Sequence, residues 1–462
     1  MIRLFKHYVP TQLLLLGIVD LVALFASAEL AWQLRGAQIG LDPLETVSRV
    51  GEILVYGFVV SITMLAVGLY QADGSRAWRM SATRLITALA IAFIALSVIF
   101  YLFPDVALWR SIAVYATAIS FVMLLAVRAA FGRLVSSETL RRRIVVIGTG
   151  PRAQRMQLLA AGRDASFRIT TFVSMSDAES LVEPVVNHHM IDGLVPLIER
   201  DRADEVVLAV EERRGALPTG DLLQVKLGGT KVSEMSTFLE RETGRVDLSS
   251  VSPSWLIFSD GFLGAQWAAI LAKRLFDIAA SVLILLLTLP ILVVTALLIK
   301  TTSPGPVFYH QERVGQFGKP FLAWKFRSMR QDAEKGGQPQ WAQQHDPRVT
   351  GIGRFIRATR IDEIPQIINV LKGDMSIVGP RPERPFFVRD LAEQIPFYNE
   401  RHVVKPGIAG WAQLNYPYGA SVEDARHKLE YDLYYVKNYS VFLDLLILVQ
   451  TVRVVLWRTG VR

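Results

Sequence analysis

Two carboxylates stand side by side in Thr359-Arg-Ile-Asp362-Glu363-Ile-Pro-Gln366, and residues suited to handling phosphate lie on both sides of them. Upstream, Val307–Gln311 and Phe321–Phe326 read as short strands around Arg313-Val-Gly-Gln-Phe-Gly318. Lys325 and Arg327 close the second strand, a pair able to hold a diphosphate. Downstream, Gly379-Pro-Arg381-Pro-Glu-Arg384-Pro385 is a stiff loop that presents guanidinium groups with little loss of chain entropy. An aspartate can attack a phosphoryl group and carry it covalently. Neighbouring carboxylates also suit a magnesium ion that arrives with substrate phosphates. Asp362 and Glu363 are therefore the catalytic and metal-ligating candidates, and Lys325, Arg327, Arg381, Arg384 and Arg313 the substrate-binding ones. A plainer account treats Thr359 as a helix cap, Asp362 as a charge complementing the helix dipole, and the basic residues as contacts to lipid headgroups.

The elements that position these residues begin with a membrane segment. Between Asp277 and Lys300 lie about 22 uncharged residues, which as a straight helix would measure about 33 Å, enough to span. Pro290 sits inside the run, where it removes a backbone hydrogen bond and bends a helix. Lys273 and Arg274 before it and Lys300 after it make both flanks basic. Crossing would also place the charged C-terminal part outside the cytoplasm. From the residues alone, two readings stand: a kinked transmembrane helix, or one that dips in, breaks near Leu289-Pro290 and returns. Ser303-Pro-Gly-Pro306 ends the segment with a rigid turn. Near the C-terminus, Val441–Trp457 is interrupted by Asp444 and Arg453 and reads as an amphipathic helix lying on a membrane.

Four further apolar segments open the chain: Thr11–Trp32, Ile53–Tyr70, Leu85–Pro104 and Ser111–Val127, of which only the first carries charge, at Asp20 and Glu29. Each is long enough, or nearly so, to span a hydrocarbon core. Three similar segments after the first, and no small-residue cleavage site, oppose a cleaved signal peptide. Arg3, Lys6, Arg76, Arg79, Arg84, Arg128, Arg133 and Arg141–Arg143 place both ends of this bundle in the cytoplasm. The opposite loops hold Arg35, Arg49 and Arg110, diluted by Asp42, Glu45 and Glu52. Asp20 and Glu29 are expected to face neighbouring helices or an interface.

Composition agrees with a membrane enzyme. The 462 residues are 51% hydrophobic, with a mean hydropathy of +0.32 and no cysteine. Disulfides, zinc–thiolate centres and a thiol nucleophile are thereby excluded. The net charge of +8 comes without any nucleic-acid recognition motif, so nucleic acid is not an expected partner; basic flanks and anionic lipid account for it.

Between the bundle and the catalytic part, Arg143–Ile147 reads as a buried strand running into a glycine turn and a helix. Ile169–Ser174 and Glu205–Val210 read as further strands of a parallel α/β layer fold. Gly148, Gly150 and Ala153 have GxGxxA spacing, and Asp177 follows at a distance suited to a ribose-binding acid. That pattern can cradle a nucleotide phosphate or simply turn the chain. A connector, about Leu248–Lys273, carries Trp255, Phe258 and Trp267, aromatic enough for a membrane surface. The expected fold is thus a membrane protein of α and α/β parts. Residues 1–135 form four transmembrane helices, 136–247 a Rossmann-like domain, 248–272 an interfacial connector, and 273–462 the catalytic domain.

Several stretches together closely resemble the bacterial sugar transferase domain of the monotopic phosphoglycosyl transferases. They are Lys273-Arg-Leu-Phe-Asp277, Ser303-Pro-Gly-Pro306, Lys325-Phe-Arg-Ser-Met329, Asp346-Pro-Arg-Val-Thr350, Arg360–Gln366, Gly379–Pro385, Lys405-Pro-Gly-Ile-Ala-Gly-Trp411 and Tyr431-Asp-Leu-Tyr-Tyr-Val436. With four spans and a Rossmann-like segment ahead, the chain is similar to the large polyprenyl glycosylphosphotransferases of exopolysaccharide and O-antigen assembly, including members associated with exosortase-linked clusters. The resemblance implies a monotopic catalytic domain whose re-entrant helix occupies about 275–300 and breaks at Pro290. It implies that Asp362 attacks the β-phosphate of a UDP-sugar, releasing UMP. Polyprenyl (undecaprenyl) phosphate then takes the phosphosugar, starting a surface polysaccharide. Glu363 would position Mg2+ or assist proton removal, and Lys325 and Arg381 would contact phosphates. The implied setting is the bacterial inner membrane, catalytic domain on the cytoplasmic face, with a homodimer through the spans or the Rossmann-like domain. No residue distinguishes glucose, galactose or N-acetylhexosamine donors. Two other readings are a membrane-tethered NAD-dependent nucleotide-sugar modifying enzyme using Gly148–Ala153, and a nucleotide-sensing assembly scaffold. The first usually needs Tyr-x-x-x-Lys, and none of the 13 tyrosines has Lys four residues later.

Overall fold

The computed structural model describes residues 1–40, 49–70, 78–135, 141–162, 165–175, 180–190, 193–211, 217–251, 253–259, 261–262, 267–330, 347–417, 419 and 421–457. Asp42, Glu45, Arg76, Asp177 and Asp346 lie outside them. The chain divides into two compact units, one comprising Met1 and Val9–Val251, the other Ile2–Tyr8 and Ser252–Arg462.

The first unit opens with helices Thr11–Ile39, Val50–Val67, Trp78–Leu102 and Arg110–Val135. Together with Trp267–Thr302 of the other unit, they make the five helices among the described residues that are long and apolar enough to cross a membrane. Within the first unit, Leu24, Tyr56, Met64, Leu85, Ile112 and Leu124 of its four helices interlock in a core. Phe58, Ile94 and Val122 point outward. Apolar side chains on both the inner and outer faces are what a helix in lipid requires.

Asp20 is fully buried and faces its neighbours, as the sequence leads one to expect. Arg128 grips both carboxylate oxygens, at 3.1 and 2.7 Å, and the Tyr70 hydroxyl donates to one of them at 2.8 Å. Removing one member of such a pair strands a buried charge, at a cost of about 3–5 kcal/mol, whereas replacing both by apolar groups can be neutral. Asp20→Leu is therefore expected to lower the unfolding temperature in detergent sharply, and Asp20→Leu/Arg128→Leu to recover most of the loss. Equal instability of the single and double variants would show that the pair does not act as a unit.

The α/β part of this unit is a five-stranded, wholly parallel sheet. Its strands, numbered after the N-terminal β1 (Ile2–Leu4) and β2 (His7–Val9), are β3 (Arg142–Ile147), β4 (Phe167–Ser174), β5 (Val185–Asn187), β6 (Glu205–Leu208) and β7 (Lys231–Glu234). The order is β5-β4-β3-β6-β7, which counted from the first strand of the sheet is the doubly wound 3-2-1-4-5 arrangement. Alternate residues of β3 feed opposite layers: Ile144 and Val146 meet Phe172 and Phe238, while Val145 and Ile147 meet Leu197 and Val206. The short edge strands β5 and β7 carry little apolar alternation and are not evident in the sequence.

The second unit contains the hairpin of β8 (Phe308–Val314) and β9 (Pro320–Phe326), followed by helices Gly351–Ala358 and Ile367–Lys372. A short parallel pair, β10 (Ser376–Val378) and β11 (Gly407–Ala409), lies among helices Pro385–Gln394, Val422–Asn438 and Val441–Trp457. The N-terminal segment also belongs here. His7 lies 2.9 Å from the Tyr434 hydroxyl and sets its ring edge-on to Trp411. Burial pushes the His7 imidazole down to about 4, so it is neutral in this contact.

Helix Trp267–Thr302 runs as one continuous helix through Pro290, without the break at Leu289-Pro290 that the sequence leads one to expect; the Thr288 hydroxyl bonds back to the Ile284 carbonyl at 2.7 Å, a contact that favours bending rather than interruption. The charges on its N-terminal flank are engaged by protein, while Lys300 at the other end is exposed. Lys273 is buried between Asp277 (3.2 Å) and Asp444 (2.7 Å), and Arg274 donates to the carbonyls of Val370 and Leu371. In the C-terminal helix, Asp444 is likewise fully buried and Arg453 reaches the Leu414 carbonyl, so both interrupting charges face the protein. A charge in an apolar run is equally well satisfied by a buried partner, which a single sequence does not reveal. In the connector, Phe258 and Trp267 are exposed, but Trp255 is buried, with the Lys437 ammonium 4.0 Å from its ring centre.

Candidate active site

Asp362 and Glu363 lie on a 3-10 turn, Ile361–Gln366, rather than at the start of a longer helix. Thr359 closes the preceding helix, its hydroxyl bonded back to the Phe355 carbonyl at 2.9 Å; it is a C-cap, not the N-cap its position suggests. That N-cap role belongs to Thr350, which accepts from the Gly353 amide. Arg360, with φ of 59°, then reverses the chain. A left-handed arginine is uncommon, and such conformations persist where the surroundings over-determine them. Asn369 fixes the turn from behind. Its amide accepts from the Trp324 N–H at 2.9 Å and donates to the Leu322 carbonyl at 2.8 Å, so the helix after the turn is stitched to the edge of β9. That strand carries Lys325.

The result is a compact charge cluster. Glu363 receives the Lys325 ammonium at 2.9 Å, the Arg381 guanidinium at 2.5 and 3.3 Å, and has Arg360 at 3.9 Å. Burial alone would raise its pKa; Arg381 and Lys325 overcome this and hold it well below the usual carboxylate range. Burial pulls the Lys325 ammonium down, with Glu363 opposing. Asp362 is also buried, at 8% exposure, but has no such clasp. Burial, and then the adjacent Glu363 charge, push it up to about 6, while Lys325, Arg360 and Arg357 oppose. Its Oδ1 is buried with no hydrogen-bond partner among the described residues. The pair is thus divided into one tightly neutralised carboxylate and one incompletely satisfied carboxylate.

Of the candidate phosphate-binding residues, Lys325 and Arg381 meet at Glu363, beside Asp362. Arg313 lies behind the Arg381 loop, donating to the Pro382 carbonyl at 2.9 Å and to Gln311. Arg384 holds the N-cap position of helix Pro385–Gln394. Arg327 is directed elsewhere: it donates to the carbonyls of Ser303 and Pro304, both at 2.8 Å, and to the Ser303 hydroxyl, capping the end of the long apolar helix. Arg360, Asn369 and Arg357 were not distinguished by sequence. Only the motif around Asp362 hinted at Arg360, and nothing marked the buried amide.

The expected magnesium ion can be tested against these donor atoms. Hard cations take one or two carboxylates plus phosphate oxygens. Asp362 Oδ1 is an open oxygen and fits; Glu363 is committed to Arg381 and Lys325. No group of three or more His, Asp or Glu side chains among the described residues is arranged to hold a metal.

In the Rossmann-like sheet, Gly148 has φ of 121° and packs so closely on Ala209 that a side chain would overlap its carbonyl. Gly150 faces the Glu211 carboxylate, Pro151 opens the helix without an N–H, and Ala153 is buried in the core. Gly148 and Ala153 thus have parts in the tight turn and in the core of the sheet.

Comparison with known proteins gives this geometry a context. The bacterial sugar transferase family pattern matches residues 268–458, and a CoA-binding domain pattern matches residues 65–216. A UDP-N-acetylgalactosamine-undecaprenyl-phosphate N-acetylgalactosaminephosphotransferase of Aeromonas hydrophila is 45% identical over 241 residues, 52% of this chain and 56% of that protein. A UDP-glucose:undecaprenyl-phosphate glucose-1-phosphate transferase of Escherichia coli (strain K12) is 47% identical over 184 residues, 39% of each chain. The chain therefore spans about half or less of the length of these two relatives. It covers 90% of the uncharacterized sugar transferase EpsL of Bacillus subtilis (strain 168), at 43% identity over 194 residues and 41% of this chain. With its carboxylate pair and basic cluster inside the matched region, the chain belongs to the bacterial sugar transferase family.

Proposed function

We propose that this protein transfers a sugar-1-phosphate from a UDP-sugar to undecaprenyl phosphate, and that Asp362 carries the phosphosugar between them. The observation that carries this reading is the division of the carboxylate pair, with Glu363 fully clasped and Asp362 Oδ1 open. The names of the relatives supply the substrate class. In the first half-reaction Asp362 attacks the β-phosphorus. An oxygen–phosphorus bond forms, the diphosphate bridge breaks, and UMP leaves with the bonding pair. In the second, a phosphate oxygen of the polyprenyl acceptor displaces Asp362, giving polyprenyl-diphospho-sugar and restoring the carboxylate. Lys325 and Arg381 hold Glu363 in place and offer their positive charge to the donor phosphates. Asp362 would hold a magnesium ion, which when bound offsets phosphate charge.

The membrane setting fits this reading. Lys273 and Asp277 at one end of helix Trp267–Thr302, and Ile299 at the other, pack on the same catalytic unit, while Leu286, Leu287, Val293 and Val294 between them are exposed. A helix held at both ends by one soluble body and apolar in the middle suits re-entry from the cytoplasmic face better than crossing.

The test is the identity of the released nucleotide. Membranes containing the protein, given magnesium, undecaprenyl phosphate and a panel of UDP-sugars, are expected to yield UMP with one donor. Release of UDP instead would mean ordinary glycosyl transfer and would overturn the mechanism.

A further inference from the structure

The loop that brings Arg381 to Glu363 has almost no means of holding itself. Three of its seven residues, Gly379–Pro385, are prolines without an N–H. Its backbone carbonyls are instead taken up one by one from outside. The Gly407 amide donates to the Pro380 carbonyl, Arg401 to Arg381, Arg313 to Pro382, and the Val314 amide to Glu383, each at 2.9 Å. A side chain at Gly379 would overlap the Lys405 carbonyl, so the loop also lies flat on its neighbour.

Arg401 is the unusual member of this set. It is buried, at 5% exposure, and far from both carboxylates in sequence. One guanidinium nitrogen reaches the Arg381 carbonyl at 2.9 Å and pairs with Asp432 at 2.7 Å; another donates to the Tyr398 hydroxyl at 2.9 Å. Asp432 is itself buried, on helix Val422–Asn438 between Leu429, Leu433 and Val436. Asp432 thus fixes Arg401, Arg401 fixes the backbone of Arg381, and Arg381 fixes Glu363 beside Asp362.

We propose that Arg401, anchored by Asp432, is a positioning residue that sets the reach of Arg381 into the active site. This rests on the proposed phosphosugar transfer. It also gives Tyr431-Asp-Leu-Tyr-Tyr-Val436, remote from the carboxylates in sequence, a part in the chemistry. A lysine at position 401 can neutralise Asp432, but its single nitrogen cannot serve Asp432, Tyr398 and the Arg381 carbonyl together.

The experiment is a double-mutant cycle in the full-length, membrane-embedded protein, with UMP release as the rate and thermal unfolding as the control. Arg401→Lys is expected to keep the unfolding temperature near that of the unsubstituted protein yet lower kcat by about 10- to 100-fold, with a smaller change in donor KM. Combined with Arg381→Ala, it should add little to the loss from Arg381→Ala alone, because both act through one guanidinium. Additive losses, or a kcat unchanged in Arg401→Lys, would overturn the inference. If Arg401→Lys does not fold, Arg401→Gln/Asp432→Asn, which leaves no buried charge without its partner, replaces it in the same cycle and is judged by the same two outcomes. Failure of the unsubstituted protein to release UMP would instead overturn the transfer reading.

Discussion

Asp362→Asn is expected to lower turnover by about 1000-fold or more and, at neutral pH, to make the protein more stable. The first effect follows from loss of the attacking oxygen. The second follows from the electrostatics of the buried pair. Burial and Glu363 push the Asp362 carboxyl up to about 6, against 3.8 for the free group. A raised pKa in the folded state favours folding while the group is protonated, and that contribution is lost as pH rises through about 6. At pH 7 the ionised side chain is therefore a burden on the fold, on the order of 3 kcal/mol, which asparagine removes. Catalysis runs the opposite way, since only the carboxylate attacks. The rate of the unsubstituted protein should fall as pH drops below about 6. Unfolding temperature and UMP release, measured on the same preparation across pH 5–8, check both halves. An active asparagine variant would remove Asp362 from the mechanism.

Glu363→Gln is the second large effect, with the opposite sign for stability. Glutamine leaves Lys325 and Arg381 without the charge that holds them together, and breaking a buried ionic cluster costs about 3–5 kcal/mol. Turnover should fall at least about 100-fold as the two cations separate. The diagnostic readout is the acid limb of the pH–rate profile. The Glu363 charge is one of the causes that raise Asp362, so its removal should move that limb to lower pH. Reduced turnover with an unmoved limb would mean that another group titrates there. Since both residues are ionisable neighbours, the limb belongs to the pair in the unsubstituted protein and to Asp362 alone in the variant.

The parts of this molecule most legible in sequence are those governed by periodicity and chain chemistry. Long uncharged runs announced the apolar helices, and the strand–glycine–helix run from Arg143 announced the centre of the parallel sheet. The Pro-rich loop and the carboxylate pair marked out the candidate site through residue type alone, and the structure brings Arg381 of the one to Glu363 of the other. What was hidden depends on pairing over distance. Lys273 and Arg274 look like lipid-facing flanks until Asp444 and the Val370 carbonyl are in view. Asp432 looks like a solvated charge until Arg401 is placed against it. Thr359 has the composition of a helix start, but the left-handed Arg360 makes it an end. Asn369 carries no sequence signal because its work is to imitate a backbone strand neighbour.

The cap that Arg327 places on the long apolar helix has a consequence for how substrates arrive. Lys325 and Arg327 are two positions apart on one extended segment, a rise of about 7 Å. One is fixed to the carboxylate pair and the other to the point where the apolar helix ends. On the proposed reading, the reacting centre thus stands about one headgroup layer above the hydrocarbon boundary. A polyprenyl chain could remain dissolved in the bilayer while its phosphate is used. The acceptor would then be found by diffusion in two dimensions, and the water-soluble donor alone by diffusion in three.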